Sequence, residues 1–157
     1  MATEIERKFL VRDTSWREGN IVKEVRYRQG YMTSGEAASV RIRTSNHDAY
    51  LNIKSATLGI KRQEFEYPIP EQDAQEMLDT LCHKPLIEKT RYYLEYQGHT
   101  WEVDVFEGEN EGLVVAEVEM ECEDENFEKP SWLGEEVSED PRYYNTCLVR
   151  HPYKDWK

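Results

Sequence analysis

The chain has 157 residues, of which 38% are hydrophobic and 33% charged, and it carries a formal net charge of -12. That length supports one real core, so the whole of 1–157 is read as a single domain. The acidity excludes general nucleic-acid or anionic-membrane binding, which need a basic footprint, and no run approaches the roughly 18 apolar residues of a membrane helix.

Charged residues follow Met1-Ala2-Thr3 at once, which argues against a signal peptide and for a cytoplasmic location. Period-two alternation begins there and predicts a first strand near 2–12, with Glu4, Glu6 and Lys8 on one face and Ile5 and Phe9 out of step. Further strands are expected near 21–33, 37–45, 48–56 and 60–69. Tyr27, Gln29 and Tyr31 alternate on the second, where the tyrosines read as packing residues. The third carries Arg41 and Arg43, and the fourth sets Lys54 against Leu51 and Ile53. The fifth sets Glu64 and Glu66 against Phe65 and Tyr67. Ser34-Gly35, Ser45-Asn46-His47-Asp48 and the Pro68/Pro70 pair mark the turns between them.

Residues 71–82 break the pattern. Ala74, Met77, Leu78 and Leu81 share one helical face, and acidic residues start the first turn. Strands resume near 84–96, 99–107 and 113–122. They carry Lys89 with Arg91, Glu102 with Asp104, and Glu117, Glu119 and Glu121 on single faces. Glu121, Glu123 and Asp124 read as a solvated acidic run. Trp132 and Trp156 read as core or cover. Asp140 as N-cap and Pro141 at the first helical position predict a second helix running towards Arg150. Short connections make neighbouring strands antiparallel. Cys82, Cys122 and Cys147 lie far apart outside any CxxC spacing and read as reduced thiols.

One charged strand face is ordinarily a solvated face. Taken together, however, these strands each tend to carry one sign, with like charges about 7 Å apart along the strand. A closed eight-stranded antiparallel barrel, mainly β with flanking helices, would turn the charged faces inward and the apolar faces out under the helices and neighbouring surface. Closure would bring the first strand to the eighth and gather Glu4, Glu6, Glu117 and Glu119. Carboxylates so crowded need a cation, and oxygen ligands without His or Cys select Mg²⁺ or Mn²⁺. His47, His83, His99 and His151 show no metal spacing. Lys8, Arg41, Arg43, Lys54, Lys89 and Arg91 suit a chain of phosphates. No nucleophilic Ser or Cys with a partnering His is visible, so direct attack by water is the simpler mechanism.

Glu4-Ile5-Glu6-Arg7-Lys8 resembles the ExExK signature of the CYTH superfamily, the triphosphate tunnel metalloenzymes. Arg41-x-Arg43, Lys54, Glu64, Lys89-x-Arg91, Asp104 and Glu117-x-Glu119 follow in that family's order. The Pro130-to-Gly134 and Pro141-to-Asn145 segments extend the likeness over essentially the whole chain, which looks like the short bacterial, inorganic triphosphatase-like branch.

The resemblance implies Glu4, Glu6, Glu117 and Glu119 as metal ligands and Lys8, Arg41, Arg43, Lys54, Lys89 and Arg91 as phosphate holders. Lys8, Glu64 and Asp104 are the implied catalytic groups, with Asp104 a further metal or water-orienting acid. Glu66 stands where many members have lysine, and Arg62 or Arg28 are the candidates for the missing charge. The expected reaction is hydrolysis of tripolyphosphate. The alternatives are an organic triphosphate enzyme (adenylate cyclase, thiamine or nucleoside triphosphatase) and a non-catalytic polyphosphate- or nucleotide-binding module. The expected partner is a small-molecule triphosphate, with a homodimer left open.

Overall fold

The computed structural model describes residues 3–56 and 60–156, so the strand expectation for residue 2 falls outside it. Among the described residues the strands are β1 (Thr3–Val11), β2 (Ile21–Ser34), β3 (Ala38–Ser45), β4 (Asp48–Ser55) and β5 (Lys61–Pro68), followed by β6 (Ile87–Tyr96), β7 (His99–Phe106), β8 (Val114–Glu119) and β9 (Leu133–Glu136). The helices are α1 (Glu71–Thr80) and α2 (Asn145–Arg150). Every pairing is antiparallel, in the order β5-β4-β3-β2-β6-β7-β8-β1-β9, and a further β5–β1 pairing closes eight strands into a barrel.

Tight turns make the long hairpins possible. Gln97 and Gly98 both have positive φ between β6 and β7, and Asn46 does between β3 and β4, matching the twist of two-residue hairpins. β1 closes the wall by dividing one edge between two partners. Residues 3–5 pair with β5 and residues 9 and 11 with β9, while the other edge runs along β8. Between them, the Glu6 amide donates to the Ile60 carbonyl and the Lys8 amide to Ser138 Oγ. The short strand β9 has no counterpart in the sequence reading. Its four residues Leu133-Gly134-Glu135-Glu136 are too few to show alternation, and the partner's edge decides them.

The barrel is turned inside out relative to an ordinary sandwich, as the charge pattern required. Its outer apolar face is covered in patches. Phe9, Leu94, Trp101, Val103, Ala116 and Val118 lie under Trp16, Phe127, Trp132 and Leu133. That wall is therefore roofed largely by the coil after β8 rather than by a helix. α1 covers β3 and β4 through Ala74 and Leu78, which pack with Ile42 and Ala49. It ends at Thr80, two residues before the expected limit.

The second expected helix is divided. Asp140 caps as foreseen by accepting from the Arg142 amide, but residues 141–143 form a 3-10 turn. Tyr144 is extended, and α2 starts at Asn145. The break lets Tyr143, Leu148 and Val149 pack on Tyr31, Ile87, Phe106 and Val115 and plug one end of the barrel.

Gly30 lies on the outer face of β2, where an added Cβ would meet Leu86 Cδ2 at 2.7 Å and Cys82 Cβ at 2.8 Å. Gly30→Ala is expected to cost about 1–3 kcal/mol by overpacking. A urea melt checks this; an unchanged midpoint would mean that Cys82 and Leu86 can step aside.

Candidate active site

The inner faces of the strands enclose a cavity of about 570 Å³, within the range of small-molecule sites. Among the described residues, seven carboxylates line it (Glu4, Glu6, Glu64, Glu66, Glu102, Glu117, Glu119) against seven cations (Lys8, Arg41, Arg43, Lys54, Arg62, Arg91, Arg150). The lining is therefore formally neutral, and the charge of -12 resides elsewhere on the molecule.

Strand tilt decides which of these groups meet. The backbone register pairs Glu6 with Glu119 and Lys8 with Glu117, yet the Glu6 and Glu117 side chains hydrogen-bond to each other. Likewise Arg91 is the register partner of Asp104, but Lys89, one inner position along, also reaches it. Tilted barrel strands bring inner-face residues of neighbouring strands to one level only after a shift along the strand.

The carboxylates crowd on β1, β8 and β7. Burial and then Glu117 raise Glu6 well above the usual carboxylate range. Burial would raise Glu117 too, but Lys8 and Arg91 outweigh it and hold Glu117 well below that range, so the pair shares one proton. Burial followed by Glu4 and Glu64 raises Glu119, and burial raises Glu102 despite Arg91. Lys54 Nζ donates to Glu4 Oε1 at 3.0 Å and stands 3.3 Å from Glu64 Oε2, linking β4 to β1 and β5.

A buried triad stands behind the lining. Asp104, 1% exposed, accepts from Arg91 Nε at 2.7 Å, Arg91 Nη2 at 3.0 Å and Lys89 Nζ at 2.8 Å. Arg91 Nη1 reaches Glu102 Oε1 at 2.9 Å. Burial pushes Lys89 down to about 7 in spite of Asp104. Lys89 and Asp104 do not border the cavity; Arg91 does.

The other expected residues (Glu4, Glu6, Lys8, Arg41, Arg43, Lys54, Glu64, Glu117 and Glu119) all line the cavity. Glu66 lines it as well, accepting from Asn52 Nδ2 at 2.7 Å. Of the two candidates for compensating charge, Arg62 lines the cavity. Arg28 faces outward to Gln75, Asp79 and Glu88.

The sequence reading singled out neither Asn52 nor the segment Tyr144 to Arg150. Asn52 shares the inner-face parity of Lys54, a signal that was present in the sequence. The C-terminal lining depends on where the plug docks, and no local pattern announces it. Tyr31 packs in the plug core, as expected, and also borders the cavity.

Two features bear on what the cavity can hold. Gln29 Nε2, Arg41 Nε and Arg62 Nε are buried donors on the inner wall with no protein acceptor, which suits an anion. The oxygen-only set Glu4, Glu6, Glu117 and Glu119 suits a hard divalent cation. Among the described residues no three acidic, thiol or imidazole groups already converge on one point, because Lys54 holds Glu4 and Glu6 is bonded to Glu117. A cation entering here must displace a proton and a lysine.

Comparison with known proteins agrees with this geometry. The chain is 50% identical over 157 residues to an inorganic triphosphatase of Acetivibrio thermocellus, covering 100% of this chain and 99% of the relative. It is 39% identical over 151 residues to an inorganic triphosphatase of Nitrosomonas europaea, covering 94% and 97%. The crystal structure of the inorganic triphosphatase NE1496 aligns with a TM-score of 0.70 at 36% identity, over 95% of each chain. A putative adenylyl cyclase from Hippeastrum, described as having a dominant triphosphatase activity, aligns at 0.62 with 16% identity over 76% of this chain and 80% of that one, a likeness of fold. The CYTH domain model matches residues 2–145, and the chain therefore belongs to the CYTH family.

Proposed function

We propose that this protein is an inorganic triphosphatase that hydrolyses tripolyphosphate to pyrophosphate and orthophosphate inside the barrel, using Mg²⁺ or Mn²⁺. The observation that carries this reading is the neutral lining of seven carboxylates and seven cations. A multiply charged anion entering alone would face as many repulsive groups as attractive ones, whereas an anion accompanied by a divalent cation satisfies both halves. A binding module for bare polyphosphate would instead need an excess of cations. The near full-length likeness to two inorganic triphosphatases supports the same reading.

In this reading Glu4, Glu6, Glu117 and Glu119 hold the cation, which would neutralise phosphate oxygens and favour water as the nucleophile. Arg41, Arg43, Lys54 and Lys8 grip the phosphate chain. Arg62 joins them and supplies the charge opposite Glu66. Glu64 balances Lys54, which it faces at 3.3 Å. Asp104 acts without bordering the cavity, by fixing Arg91 and Lys89. The oxygen of water forms the new bond to phosphorus and gives up its proton to the departing pyrophosphate or to solvent, while the bridging P–O bond breaks and pyrophosphate leaves with its electron pair. The reading takes the chain as one cytoplasmic domain, and Cys82, Cys122 and Cys147 are all unpaired thiols. Among the described residues no helix is long and apolar enough to cross a membrane.

Phosphate release from tripolyphosphate, ATP and thiamine triphosphate, measured side by side with Mg²⁺, Mn²⁺ or EDTA, tests the proposal. Fast, EDTA-sensitive release from tripolyphosphate is the expected result. Release from an organic triphosphate alone would keep the tunnel and overturn the substrate. Tight binding without turnover would replace the enzyme with a binding module.

A further inference from the structure

Tyr27 and Tyr93 line the cavity on the adjacent strands β2 and β6, and their phenol oxygens are 2.8 Å apart in a mutual hydrogen bond. Tyr27 was read from the sequence as a packing residue. The Tyr27 ring lies against two of the cavity's guanidiniums, with Arg43 at 4.4 Å from its centroid and Arg91 at 5.5 Å. These two cations differ in freedom. Arg91 is clamped by Asp104 and Glu102 and cannot move without breaking three short hydrogen bonds or ion pairs. Among the described residues Arg43 has one side-chain hydrogen bond, from its Nε to Gln29 Oε1 at 2.7 Å. Its guanidinium also sits among like charges, since burial and then Arg41 and Arg91 lower its affinity for its proton to about 10. The ring lies near both guanidiniums and offsets part of that repulsion, because an aromatic face attracts a cation.

We propose that Tyr27 and Tyr93 are positioning residues for the substrate: the phenol–phenol bond ties the Tyr27 ring to β6, and the ring sets Arg43 against the immobile Arg91. The proposal rests on the triphosphatase reading and adds to it the element that fixes the spacing of the phosphate grip. The occupied ring face also bears on substrate choice. With Arg43 over it, Tyr27 already has a cation at its ring where a nucleobase would have to stack, so the aromatic pair beside the cavity serves the cations rather than an organic group. Tyr93 reinforces the arrangement from the other side, where Lys23 Nζ lies 5.3 Å from its ring centroid.

Three full-length variants test this: Tyr27→Leu removes the ring, while Tyr27→Phe and Tyr93→Phe keep the ring and remove the bond. With tripolyphosphate and Mg²⁺, Tyr27→Leu is expected to raise KM about fivefold or more while kcat changes less than about twofold. The two Phe variants should raise KM by about two- to threefold with unchanged melting temperatures. A purely structural role would lower the melting temperature and leave KM alone, and that result overturns the proposal. So does a KM within about 1.5-fold of wild type in all three variants. If Tyr27→Leu does not fold, the Phe variants decide. If the wild-type protein does not turn over tripolyphosphate, the function reading has failed by itself. The proposal is then decided by calorimetric titration of the same variants with tripolyphosphate, where weakened binding supports it and equal binding ends it.

Discussion

Glu6→Gln is expected to lower metal-dependent hydrolysis by about a hundred- to a thousandfold while leaving the barrel folded and, without cation, at least as stable as the wild type. The two halves of this expectation have one cause. Glu6 is buried beside Glu117, and burial followed by that neighbour raises its pKa well above the usual value. A group whose folded pKa is raised contributes most to stability while protonated, and that contribution fades as pH rises through the folded value. Glutamine reproduces the shape of the protonated acid and never ionises, so the cation-free fold loses nothing near neutral pH. It also contributes no anionic oxygen to a cation, and the reaction suffers. Calorimetry carries the same logic further. Mg²⁺ binding to the wild type should release about one proton and weaken as pH falls, whereas the variant should show little binding. Wild-type turnover in Glu6→Gln would end the ligand assignment. A lower melting temperature would end the account of the shared proton.

Asp104→Asn is expected to destabilise the fold by about 3–5 kcal/mol, because it removes the charge partner of fully buried Lys89 and the nearest of the carboxylates around Arg91. Lys89 is 0% exposed, and the Asp104 carboxylate satisfies Arg91 and Lys89 together. An amide offers one acceptor oxygen where three donors converge. The pH dependence follows from the sign of the shift. Burial would raise Asp104, but Arg91 and Lys89 outweigh it and hold the group at about 2 against an ordinary 3.8. A depressed carboxylate contributes its stability in full above the unfolded value and loses it as pH falls through the folded one. Urea midpoints of wild type and variant should therefore differ most between pH ~5 and the value of about 7 at which Lys89 loses its proton, and converge towards pH ~2. Equal midpoints at pH 7 would show that the triad adds nothing to the fold. If turnover in a folded Asp104→Asn fell no further than its stability explains, the positioning of Arg91 would be dispensable.

The two variants separate residues that the sequence placed in one class. Glu6 and Asp104 were both read as acids of a metal-bearing tunnel, yet one borders the cavity and the other is buried without bordering it. Expected losses differ accordingly: activity without stability at Glu6, stability first at Asp104.

Much of this molecule was legible in its residues because a strand has period two. Glu4-x-Glu6-x-Lys8, Arg41-x-Arg43 and Glu117-x-Glu119 fixed which side chains share a face, and charged faces tending to one sign on most strands pointed to a closed barrel with its charge inside. Gln97-Gly98 and Asn46 announced hairpins for local steric reasons, and Ala74, Met77, Leu78 and Leu81 announced α1 by helical spacing. Tertiary structure alone decided the shear of the barrel, because shear depends on how all eight strands close and not on any one of them. It is the shear that joins Glu6 to Glu117 and Lys89 to Asp104, against the plain backbone register. The same holds for the plug. Tyr143, Leu148 and Val149 need a complementary barrel end before 141–150 has a reason to break at Tyr144, so a continuous helix was the local expectation and a divided one the folded result. Residue type and spacing set the chemistry available on each strand; closure set which of those groups meet.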